Sequence, residues 1–160
     1  MKHLYAPWRS AYTAGKKKDA GCVLCNKHTE QLDQKNFIIK RYEHCYVMLN
    51  LFPYNAGHLL VIPYEHCDAL EALPAPTRQE IMEVTAKSTA ILKQTLHAEG
   101  INIGINLGGP AAGGSIPEHL HVHTLPRWAS DTNFLVTLAE TKQISVDLPG
   151  VYKKLIAADW

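Results

Sequence analysis

His119, His121 and His123 alternate with Leu120 and Val122. In an extended strand that spacing puts all three imidazoles on one face and the aliphatic side chains on the other. Three aligned imidazoles repel one another when charged, so the central one is expected to be neutral near pH 7. A neutral imidazole can act as a nucleophile or as a metal ligand. The spacing serves either use: a covalent nucleophile at His121, or a catalytic zinc on three histidines with one open position. Isolated histidines carry no such signal, and His3, His28, His44 and His97 read as ordinary polar residues.

Two further patterns bear chemistry. Asn106 to Ser115 is rich in glycine just ahead of the histidines, and glycine lets unshielded backbone N–H groups approach a phosphate. No lysine follows these glycines, so the stretch is not a P-loop. Cys22 and Cys25 stand at the spacing that brings two thiolates to one metal, which is half of a tetrahedral site. A redox pair is the other use of that spacing. Cys45 and Cys67 read as structural.

These groups must be held by a scaffold, and the apolar patterning describes one. Asn36 to Asn50 carries β-branched and aromatic residues on either side of polar Arg41 to His44, as expected of a hairpin. Leu51 to Gly57 is rich in turn formers, and 58–63 reads as a third strand stopped by Pro63. A short helix is expected between Asp68 and Leu73. A long one follows, with Thr77 and Glu80 in capping-box spacing, Ile81, Val84, Ser88, Ile91, Leu92 and Leu96 on one face, and Gly100 as C-cap. Strands are expected at 101–107 and 119–125. Asn133 to Gln143 is a candidate helix that Pro149 should end. The fold class is therefore α+β: an antiparallel five-stranded sheet with one long and one short helix.

The 160 residues, 46% hydrophobic and 19% charged, suit one domain. Within residues 1–160, residues 1–20 read as an N-terminal arm and 131–160 as a C-terminal extension. A formal net charge of +1 supplies no global field for nucleic acid or an anionic membrane, so an anion site must be built locally. The run Lys16 to Lys18 reads as a solvated loop. The opening stretch has no signal-peptide core and no segment reaches membrane-spanning length, so the expected location is cytoplasmic, where free or metal-bound thiols are favoured over disulfides.

The segment from His119 to Leu125 resembles the signature of the histidine-triad (HIT) superfamily, with Thr124 as a mild departure. Asn50, Pro53, Gly57-His58, the LLVIP strand, the glycine-rich approach and Pro126-Arg127 extend the resemblance over residues 20 to 130. It implies a HIT-like fold, usually a homodimer, and a nucleotide or dinucleoside polyphosphate as substrate. It also implies covalent catalysis, with His121 attacking the α-phosphate to form a nucleotidyl-histidine. His123 is then expected at the phosphate or leaving group, His119 and His58 as orienting residues, and Asn50 at the ribose.

Many hydrolases of the superfamily carry glutamine where this chain has Gly114. The GGSIPEHLHVH run, with PRW after it and NLFPYNAGHLLVIPY upstream, instead resembles the branch of bacterial diadenosine tetraphosphate phosphorylases. That implies phosphate as acceptor and ADP and ATP as products, with Gly114 and Ser115 binding phosphate, Asn106 at the polyphosphate and Glu118 near the acceptor or leaving group. Hydrolysis of dinucleoside polyphosphates or nucleoside phosphoramidates is the alternative, and AMP or ADP binding with little turnover is another. Zinc-binding relatives complete a Cys22–Cys25 pair with residues resembling His66 and His119, which makes zinc the expected structural cofactor; a divalent cation accompanying the substrate is the second candidate.

Overall fold

The computed structural model describes residues 21–112, 116–129, 131 and 147–160. Five strands form one antiparallel sheet: β1 (Ile38–Arg41), β2 (Cys45–Leu49), β3 (Leu59–Pro63), β4 (Gly100–Ile105) and β5 (Val122–Arg127), in the order β1-β2-β3-β5-β4. The expected hairpin is present, with Arg41 pairing Tyr46 across the turn. Around the sheet lie helices α1 (Val23–Thr29), α2 (Asp33–Asn36), α3 (Ala75–Leu96) and α4 (Leu148–Ile156).

Every residue of β2 and β3 is buried, because both faces of the sheet are covered. Val47, Leu49, Leu59, Val61, Leu120 and Val122 face α3, which contributes Ile81, Val84, Ile91 and Leu92. The alternate residues Tyr46, Met48, Leu60 and Ile62 pack on the opposite face with Leu24 of α1. Since Leu60 pairs with His123, the histidines share this second face, away from the long helix. Full burial of each such aliphatic side chain contributes roughly 1.5–3 kcal/mol, so the site rests on strands whose every residue is buried.

Several local expectations are corrected. The short helix is a single 3-10 turn at Leu70–Ala72. The Thr77/Glu80 capping box does not form: α3 begins after Pro74, Thr77 donates its hydroxyl to Glu65, and the Glu80 carboxylate accepts the Glu43 and His44 N–H groups. Glu80 thus pins the β1–β2 turn to the helix rather than capping it. The C-cap is His97, in the left-handed region at φ 54°, and Gly100 already belongs to β4. Pro149 begins a helix instead of breaking one. It occupies the first turn of α4, where its missing N–H has no intrahelical acceptor to lose, while the side chain of N-cap Asp147 accepts the Gly150 N–H. The candidate helix at Asn133 to Gln143 and the arm at 1–20 lie outside the described residues. None of the described helices is long and apolar enough to cross a membrane.

Candidate active site

The strand carrying the triad starts later than its alternation suggests. β5 begins at Val122, and His119 to His121 form its irregular approach, tied down where the Leu120 N–H donates to the Cys67 carbonyl. Leu120 and Val122 still enter the core below α3. The three imidazoles, however, do not converge on one point. His121 meets His123 edge-on with ring centres 4.8 Å apart, whereas His119 meets His66 at 5.3 Å. A metal on all three histidines is not the arrangement found.

The second partner of the pair comes from the loop between β2 and β3. Asn50 donates its N–H to the His58 carbonyl and so closes the loop at its base. Gly57 sits at φ +81°, and a Cβ there would run into Leu96 of α3, so the turn that delivers His58 requires glycine. Farther along, Asn55 donates to the Pro126 carbonyl and to Asp131, and Asp131 also accepts from Arg127 at 2.6 Å. The loop is thereby fastened to the far end of β5.

These contacts fix where the imidazole protons sit. The Tyr54 N–H points at His58 Nδ1, 3.3 Å away, so that nitrogen is an acceptor and Nε2 carries the proton. Asn50 agrees: its Oδ1 accepts the Phe52 N–H, which turns its amide nitrogen toward the same His58 Nδ1. His58 Nε2 then donates to His123 Nδ1 at 2.9 Å, leaving the His123 proton on Nε2. That atom is buried and has no hydrogen-bond partner among the described residues. His121 is set the opposite way. Its Nδ1 donates to the His119 carbonyl at 2.7 Å, which leaves the Nε2 lone pair free to attack.

Electrostatics keep the relay neutral. Burial, with His123 and His121 beside it, pushes His58 down to about 3, and burial with His121 pushes His123 down to about 4. The arrangement can therefore present a lone pair at His121 and an N–H donor at His123, side by side, to one tetrahedral anion.

His119 belongs to a second centre. Its Nε2–H donates to the Pro63 carbonyl at 3.0 Å, so Nδ1 is the unprotonated nitrogen, and it lies 3.3 Å from Cys22 Sγ and 3.4 Å from Cys25 Sγ. His66 Nδ1 is 3.4 Å from Cys25 Sγ, and the four ligand atoms of Cys22, Cys25, His66 and His119 all lie within 4.8 Å of one another. Tetrahedral bonds of about 2.3 Å to sulfur and about 2.0–2.1 Å to nitrogen would leave such atoms roughly 3.5 Å apart, so this donor set fits a metal ion. Burial and the neighbouring Cys22 push the Cys25 thiol up to about 11, so two thiolates there need a cation between them. The half that spacing alone left missing comes from the end of β3 and the approach to β5.

Of the other predicted site residues, Asn50 is half-buried with its amide turned to His58, while Asn106 and Glu118 are exposed. The Glu118 charge reaches Cys25. Gly114 and Ser115 lie outside the described residues. Tyr54 and Asn55 were not singled out from the sequence, although they sit inside the very stretch, PYNAGH, that leads to His58.

Residues 31–129 match the family described as HIT domain. The chain is 37% identical over 100% of its length, and 85% of the relative's, to a Mycobacterium tuberculosis protein named AP-4-A phosphorylase. It is 33% identical, over 62% of its length and 45% of the relative's, to a Saccharomyces cerevisiae protein named bis(5'-adenosyl)-triphosphatase. Among solved structures it resembles a zinc-bound histidine triad family protein from Mycobacterium smegmatis, with TM-score 0.70 and 28% identity, covering 86% of this chain and 91% of that one.

Proposed function

The chain belongs to the HIT domain family, and on that premise we propose that it is an enzyme that transfers a nucleotidyl group from a dinucleoside polyphosphate to inorganic phosphate through His121. The observation that carries this reading is the opposed setting of two neighbouring imidazoles, an unprotonated Nε2 on His121 beside a buried Nε2–H on His123 that has no partner among the described residues. In the first step His121 Nε2 forms a bond to the α-phosphorus and the bond to the bridging oxygen breaks, releasing the polyphosphate half. The His123 N–H stabilises charge on the phosphoryl oxygens as it develops. In the second step an oxygen of phosphate attacks the same phosphorus and the P–N bond breaks, restoring His121. From diadenosine tetraphosphate the products are ATP and then ADP.

Gly114, Ser115, Asn106 and Glu118 are assigned to the polyphosphate and the acceptor by the same reading, and Asn50 to the ribose as well as to His58. Zinc is the metal proposed for Cys22, Cys25, His66 and His119, because two sulfurs and two imidazole nitrogens suit it. When bound it supplies cross-linking rather than Lewis-acid chemistry, since all four positions are protein ligands. The protein's own part is to hold His119 so that its carbonyl keeps the proton on His121 Nδ1.

The test is a product assay on diadenosine tetraphosphate with and without phosphate, run on the wild type and on His121→Gly. Turnover that requires phosphate and yields ADP with ATP supports the reading. AMP with ATP in phosphate-free buffer assigns water as acceptor instead. Undiminished turnover by His121→Gly removes the nucleophile, and binding without turnover by the wild type makes the chain a nucleotide-binding protein.

A further inference from the structure

Tyr54 is the one aromatic side chain among the large apolar residues exposed in the described part of the molecule, at 56%. It is exposed beside the histidine pair, with its ring centre 4.9 Å from that of His58 and 6.2 Å from that of His123, the latter nearly parallel at 23°. Nor is it a loose surface residue. Its backbone N–H donates to His58 Nδ1, and its neighbour Asn55 is buried and tied to Pro126 and Asp131. An aromatic ring on an anchored backbone, one face toward the imidazoles and the rest open to solvent, has the form of a stacking platform.

We propose that Tyr54 stacks on the nucleobase of the nucleotide whose phosphate meets His121 and His123. The inference rests on the nucleotide-transfer reading of the site. The distance selects the partner. A ring 6.2 Å from His123 lies within one nucleotide's reach of a phosphate at that imidazole, whereas the second base of a dinucleoside tetraphosphate is separated from it by the whole polyphosphate. A π-face receives any planar base, so the platform gives affinity with little preference among bases.

Binding of AMP and of ribose 5-phosphate, followed by NMR titration, tests this on the wild type, Tyr54→Leu and Tyr54→Phe. Base–aromatic stacking is of a size that predicts a roughly 5- to 140-fold weaker AMP affinity in Tyr54→Leu, recovery in Tyr54→Phe, and unchanged ribose 5-phosphate affinity in both. Equal weakening of both ligands assigns Tyr54 to positioning His58 and overturns the stacking proposal. So does an AMP affinity unchanged in Tyr54→Leu, and in either case the nucleotide site stands. A wild type that binds neither ligand removes the nucleotide reading, and this proposal with it.

Discussion

His58 is fully buried, and its acidity is pushed from an ordinary 6.5 down to about 3. In the unfolded chain the same imidazole takes up a proton near pH 6.5; in the folded protein it stays neutral until far lower pH. Between those values the unfolded state binds one more proton, so stability is fully present above pH ~6.5 and is lost as pH falls toward about 3. The slope is about 1.4 kcal/mol per pH unit, and the contribution lost by about pH 4.5 is about 3 kcal/mol. His123 contributes in the same direction down to about 4, but its depression comes from burial and His121, so it persists when His58 is replaced. His58→Gln keeps a polar side chain there without a titrating group. Urea unfolding of both proteins between about pH 7.5 and 4.5 measures the difference. The wild type should lose stability more steeply than the variant, by about 1.4 kcal/mol per pH unit below about pH 6. Parallel stability–pH curves would show that His58 titrates normally in the fold and refute the neutral relay.

Two other outcomes are expected. Purified protein should carry about one zinc per chain by elemental mass spectrometry, and Cys22→Ser/Cys25→Ser should lose it and melt at lower temperature; metal-free wild type, or metal retained by the double variant, excludes the four-residue centre. The chain should also sediment as a dimer through β4, one of the two edge strands of the sheet, where Ile103 and, just past the strand, Leu107 are 50% and 40% exposed. Ile103→Glu should shift it to monomer, and a wild type that sediments at the 17.8 kDa monomer mass overturns the interface.

Period and spacing made much of this molecule legible in the chain alone. Apolar runs bounded by turn formers located β2 and β3, whose residues are all buried, alternation located β5, and the apolar stripe of α3 is the one that meets the sheet. The triad and the CxxC pair were visible because their ligands are two or three residues apart. What depended on folding was every boundary and pairing decided at longer range. Glu80 abandoned a cap for backbone donors in the β1–β2 turn, and His97 took the left-handed position expected of Gly100. Most consequential is the division among the histidines. Side-chain period treats His119, His121 and His123 alike, yet the proton positions that distinguish them are set by the Pro63 and His119 carbonyls and the Tyr54 N–H. Those backbone groups bear no residue-specific mark in a sequence, so only the packed chain could assign which nitrogen is free to react.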